Sequence, residues 1–251
     1  MPKGRGFTLG ELLSATVILA ILAMVSAPMV KSARSAMSRR AASEALMTLN
    51  TALLLYTQES NERFPLAMAS DEDGGVVTWF GRQDKGGKID LDGGFLSSYL
   101  GKRHPKDPTA DGDDYFGDHS GFGYNWEALG SDVCITHEFD FPDCQNSAWN
   151  AELHHPSSTI AFATSILILP PWEKGSGFYD FGFVSPPHEW HGIPNVDFRH
   201  GGLRRCDPAT RTVTGPGRAL VVMVDGTMKS LERSAVTDKL FERGQPDPTQ
   251  M

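Results

Sequence analysis

The first thirty residues fall into three blocks: a short basic leader, Lys3-Gly4-Arg5-Gly6, then Phe7-Thr8-Leu9-Gly10-Glu11, then an apolar run over 12–30. An unbroken apolar stretch of about twenty residues predicts a helix able to enter a membrane, since that length spans roughly 30 Å of hydrocarbon. Glu11 interrupts the pattern. A lone carboxylate costs about 2.5 to 3.5 kcal/mol at mid-membrane, so it needs a partner or a purpose. Beyond residue 30 the pattern becomes periodic instead of continuous. From 31 to 59 there is no glycine or proline, and Leu46, Leu49, Leu53 and Tyr56 recur at spacings of three and four, the stripe of an amphipathic helix. One helix over about 7–59 accounts for both halves, bare and hydrophobic first, amphipathic and sheet-covering second. Pro65 ends it, because it disfavours helix at Phe64.

After 65 the periodicity weakens. Residues 66–130 are rich in glycine and aspartate and read as loop, with a short strand over 76–80 and a helical turn over 95–100. Strand-like runs cluster at 159–163, 166–169, 178–184 and 195–198. The clearest local element is a hairpin over 219–231, because Asp225-Gly226 between two β-prone runs suits a type I′ turn with positive φ at both central positions. The fold class expected is α+β: a long N-terminal helix, transmembrane half plus amphipathic half, packed on an antiparallel sheet with long loops. The division is a leader over 1–6, a transmembrane and assembly helix over 7–30, an amphipathic continuation over 31–60, and a globular head over 61–251.

Composition adjusts this picture in two places. The chain has 251 residues and a formal net charge of −8, yet Lys31, Arg34, Arg39 and Arg40 form a basic collar after the apolar run. The remainder is therefore more acidic than the total, which argues against nucleic acid as a partner of the head. A solvated or headgroup-facing helix surface explains the collar. Three cysteines allow one disulfide and one thiol. Cys134 and Cys144 close a short loop and are the candidate pair, leaving Cys206, although spacing leaves the connectivity open. An ordinary secretory signal fits poorly: its apolar core is only about 7 to 15 residues, and the nearest small-x-small site, Val25-Ser26-Ala27, is followed at once by Pro28.

The block Gly6-Phe7-Thr8-Leu9-Gly10-Glu11 resembles the cleavage and methylation site of type IV pilins and of type II secretion pseudopilins. The resemblance implies trimming by a prepilin peptidase between Gly6 and Phe7, methylation of the new N-terminus, and a single-pass inner-membrane precursor with a periplasmic head. That precursor would be passed by an inner-membrane assembly platform into a pilus or pseudopilus. Glu11 would be the fifth residue of the mature chain, able to neutralise the Phe7 amine of the next subunit. Pro28 matches a proline that kinks or locally melts the helix in such filaments. The implied partners are the chain itself, other pilin-like subunits, the peptidase, the platform and the membrane.

A second, partial resemblance is to large pilin-like proteins of environmental bacteria. It rests on Tyr99-Leu100-Gly101, on His104-Pro105-Lys106-Asp107-Pro108, where His104 replaces a cysteine, and on Phe122-Gly123-Tyr124-Asn125-Trp126. Arg199-His200-Gly201-Gly202 followed by Asp225-Gly226 echoes their C-terminal motif, with 24 residues between His200 and Asp225. His200 and Asp225 are read as structural or assembly residues.

Two chemistries remain to be weighed. Asp107, Asp111, Asp113, Asp114 and Asp118 supply hard oxygen donors within one short stretch, as calcium requires, but without the closing glutamate of an EF-hand; a solvated acidic loop is the plainer reading. His154, His155, His188, Glu189, His191, His200 and Asp225 could serve a secreted or membrane-tethered metal-dependent hydrolase, with His188 and His191 as a ligand pair. No His-Glu-x-x-His and no Gly-x-Ser-x-Gly occurs. The chain is therefore expected to be a structural subunit with no catalytic residues and no cofactor beyond possible calcium.

Overall fold

The computed structural model describes residues 8–101, 104–115, 120–131, 133–135, 143–173, 177–190 and 195–243. Helix α1, Leu9–Glu59, runs unbroken for 51 residues. It stops because Asn61 and Glu62 take left-handed φ values of 53° and 62°, a turn that ends the helical ladder, after which Ser60 N–H still donates to Tyr56 O at 2.8 Å. Pro28 lies inside this helix without ending it.

Five strands form the central sheet: β1 Phe122–Asn125, β2 Ile160–Thr164, β3 Phe183–Val184, β4 Ala219–Met223 and β5 Met228–Leu231. Their order is β3-β1-β2-β4-β5. All neighbours are antiparallel except β3, which pairs in parallel with β1. The second half of α1 lies across one face, burying Ala42, Leu46, Leu49 and Leu53 with Tyr124, Phe162, Leu220 and Val222. On the other face Ile160, Ala163, Val221 and Met223 meet Val196, Phe198 and Phe241. Both faces are thus covered, which is why β4 reads Ala-Leu-Val-Val-Met and does not alternate. The molecule is accordingly a mixed α+β structure with antiparallel sheets and a long N-terminal helix.

A four-stranded antiparallel meander, Met68–Ser70, Val76–Thr78, Arg82–Gln83 and Ile89–Asp90, sits beside this core. Helix α2, Ser97–Leu100, follows it, and Tyr56 packs edge-on against Phe95 and Tyr99, with centroids 6.2 and 6.1 Å away. Trp79 anchors the meander from below, donating its indole N–H to Gly182 O at 2.6 Å.

Several expectations shift in detail. The 219–231 hairpin is present, but only Gly226, at φ +87°, has a positive φ. Met223 N–H donates to Thr227 O and Gly226 N–H to Met223 O, both at 2.9 Å. The loop is therefore a three-residue turn closed by a left-handed glycine, not the type I′ form. The 195–198 run makes only an isolated bridge, Val196 with Ser165, held by Ile166 N–H to Asn195 O at 2.9 Å and Asp197 N–H to Thr164 O at 2.8 Å. The 178–184 run splits between two sheets, as Gly177–Asp180 and Phe183–Val184.

The membrane expectation is corrected. Among the described residues no helix is long and apolar enough to cross a membrane, which overturns the single-pass inner-membrane placement with a periplasmic head. The apolar positions of α1 share their turns with Gly10, Glu11, Ser14 and Thr16 and give way at Lys31 to the basic collar.

Candidate functional site

Two regions gather the residues to which the sequence pointed. The first is the free half of α1. Leu9, Leu13, Leu19, Leu22 and Met29 are 60–86 % exposed, and they point in different directions around the axis, so no single face is spared. At about 1.5 Å per residue, the stretch before the first buried position, Ala42, extends roughly 50 Å.

Glu11 is not a lone acid in this structure. Its Oε2 accepts from Thr8 N–H at 2.8 Å and from the Thr8 hydroxyl at 2.9 Å, while Glu11 N–H donates back to Thr8 Oγ1 at 3.3 Å. Thr8-Leu9-Gly10-Glu11 is thus a capping box. The bonds from Thr8, backbone first, hold the Glu11 carboxyl below its ordinary pKa. Gly6 and Phe7 lie outside the described residues.

The second region is a charged knot beneath the sheet edge, built on the Arg199-His200 pair. Arg199 is 2 % exposed. Its Nε donates to Asp197 at 2.6 Å, and its Nη2 to Asp180 at 2.8 Å and to Ser165 O at 2.6 Å. Burial disfavours its charge, yet Asp197, Asp180 and Asp107 together raise its pKa. Asp180 is pushed up, because burial outweighs the attraction of Arg199. His200 Nε2 lies 2.9 Å from Asp107 Oδ2. For Asp107 burial works upward, but His200, the nearby Arg199 and Thr109 bring the carboxyl below its usual value. Arg204 reaches Asp197 at 3.3 Å and also pairs with Asp111.

This knot joins three distant parts of the chain. The 104–111 loop, the Gly177–Asp180 strand and the 197–204 turn are held by charge-assisted bonds in a water-poor setting. His200 therefore finds its carboxylate in Asp107. Asp225 is exposed and turns back on its own hairpin, accepting from Thr227 N–H at 2.8 Å.

The same geometry answers the calcium reading. Asp107 is committed to His200, Asp111 to Arg204, and Asp113 and Asp114 contribute backbone to a two-residue strand; Asp118 lies outside the described residues. No group of three or more acidic, histidine or cysteine side chains converges as a metal site among the described residues. For the hydrolase set, His154 and His155 are exposed, and exposed His188 leans on Asp238 at 3.1 Å. His191 lies outside the described residues. The backbone register places Cys134 directly opposite Cys144 in a two-stranded ladder, a spacing that an antiparallel disulfide can bridge. Cys206 is a free thiol, half-buried, and its Sγ accepts from Arg204 at 3.0 Å.

His104 occupies its own niche. It stacks on Trp79, with centroids 5.7 Å apart and planes 20° from parallel, and its Nε2 is buried with no hydrogen-bond partner. Burial pushes its pKa down to about 4. Because the unfolded chain protonates this ring at about 6.5, the stability tied to neutral His104 is complete above pH 6.5. It is lost as the pH falls toward about 4, by about 3 kcal/mol in all. His104→Phe is expected to flatten this limb of a pH–stability curve measured by urea denaturation. An unchanged limb would assign the acid sensitivity elsewhere.

Sequence reasoning singled out Arg199-His200 but not its partners, since Asp180, Asp197 and Asp107 stand in no fixed spacing to it. The Thr8 cap was missed as well, although Thr-x-x-Glu ahead of an apolar run is its local signal. Comparison with protein-family models, with curated proteins and with solved structures finds no match for this chain.

Proposed function

We propose that this chain is the structural subunit of a fibre of the type IV pilus or type II secretion pseudopilus kind, assembled by packing the first half of α1 against the same segment of neighbouring copies. The observation that carries the reading is the row of large apolar side chains left exposed along the first half of α1, among them Leu9, Leu13, Ile18, Leu19, Leu22 and Met29, which a folded head alone leaves in contact with water. A helix apolar all round is stable only when surrounded, and burial of that surface yields about 25 cal/mol per Å². The prepilin-like block 6–11 supports the same reading, with a cut after Gly6 by a prepilin peptidase.

Glu11 acquires a more precise part in this scheme. Its own helix already satisfies Oε2, so the acid does not depend on a neighbour for its charge; Oε1 remains to accept from the amine of an adjoining subunit. Register would then come from a pre-aimed carboxylate. In Glu11→Ala the helix start loses the reciprocal half of its capping box, and the yield of fibres counted by electron microscopy is expected to fall several-fold, while the head unfolds at the same urea concentration. Normal yield in that variant would remove Glu11 from the mechanism. A full-length chain that forms no fibres after trimming would overturn the reading itself.

A further inference from the structure

Where α1 enters the head, Ala36, Arg39, Arg40 and Ser43 of the helix face Leu220, Met228, Lys229 and Ser230 of the β4–β5 hairpin across a groove of about 370 Å³. Three cations and two hydroxyls rim an apolar floor. Glu44 offsets them in part, paired with Arg40 at 2.9 Å with both side chains exposed, where such a pair is readily exchanged. No carboxylate pairs with Arg39 among the described residues.

The opposite end of the head has the complementary sign. The meander is tied there through Phe95 N–H to Thr78 O at 2.9 Å, and through Tyr99 O–H, which donates to Glu59 at 2.7 Å. It exposes Glu72, Asp73, Asp84, Asp90 and Asp92 against Lys85 and Lys88, while Arg82 is already occupied by Asp71 and Asp73, so acids remain in excess. From Arg40 to Tyr56 the helix rises about 24 Å, so the groove and the meander of one copy are held apart by a rigid rod.

We propose that the groove receives the acidic meander of a second copy of this chain. The proposal rests on the fibre reading for its setting. Two different patches at opposite ends of one subunit make a head-to-tail contact, which does not close on itself and so propagates as a polymer. The apolar helices supply adhesion; the charged contact fixes how far one head is displaced along its neighbour, with a dependence on ionic strength that exposed pairs carry.

The test uses two full-length variants. Arg39→Glu with Arg40→Glu makes the groove acidic, and Asp90→Arg with Asp92→Arg makes the meander basic. Each alone is expected to sediment as assembled material at least tenfold less than the unaltered chain. Mixed in equal amounts they should recover, because an alternating polymer pairs every groove with a meander of opposite sign. Carbodiimide coupling of a mixed ¹⁵N and ¹⁴N sample should join Lys229 of one copy to Asp90 or Asp92 of another, detected by mass spectrometry. Unaltered assembly of either variant, or failure of the mixture to recover, overturns the groove contact while leaving the fibre intact. If no polymer forms but the Lys229 cross-link appears between copies, the fibre reading fails and the groove contact stands. Absence of that cross-link in assembled material overturns it.

Discussion

Replacing Arg199 by methionine is expected to destabilise the head by about 3–5 kcal/mol, the range found when one member of a buried ionic group is removed. The arginine satisfies Asp197, Asp180 and the Ser165 carbonyl at once, and each would lose that donor while staying buried. Asp180, already biased toward its neutral form by burial, would take up a proton; Asp197 would retain only Arg204 at 3.3 Å. Arg199→Lys is expected to recover little, because an ammonium cannot span three acceptors with the geometry of the guanidinium fork. Urea denaturation followed by tryptophan fluorescence reads the loss. A change below about 1 kcal/mol would mean that water reaches the knot and that its acids are solvated.

The second large effect concerns assembly alone. Leu19→Asp combined with Leu22→Asp is expected to reduce sedimentable fibre by more than tenfold, since two carboxylates would have to be buried between packed helices without partners. Both leucines are more than half exposed and belong to neither buried cluster. The urea midpoint of the head should therefore remain unchanged. A fibre yield equal to that of the unaltered chain would show that this part of α1 does not lie at an interface.

The two substitutions probe different kinds of information. Leu46, Leu49 and Leu53 announce the buried face of α1 because a helix repeats its neighbours every three or four residues, and all three are fully buried. The β4–β5 hairpin was likewise written locally, in two apolar runs about Asp225-Gly226. Its turn type was not: the register of β4 on β5 closes the loop with Met223 N–H on Thr227 O and leaves three residues between. The run at 195–198 looked like a strand and makes only one bridge, where Asn195 and Asp197 bond the backbone of Ile166 and Thr164 just at the end of β2. Gly217 shows the same limit from another side. A Cβ there would sit 1.7 Å from Phe198 O, a close approach that no local pattern reveals.

By itself, then, the sequence determined the long helix, its exposed apolar half, its capped start at Thr8 and Glu11, and the paired runs of the sheet, because each depends on residues within a few positions of one another. Tertiary structure alone decided that His200 answers to Asp107 and not to Asp225, that Arg199 is shared among three distant acceptors, and that the basic groove and the acidic meander occupy opposite ends of the head. Those relations join residues tens of positions apart, and only the closing of the chain around its sheet sets which of many possible charges come within reach.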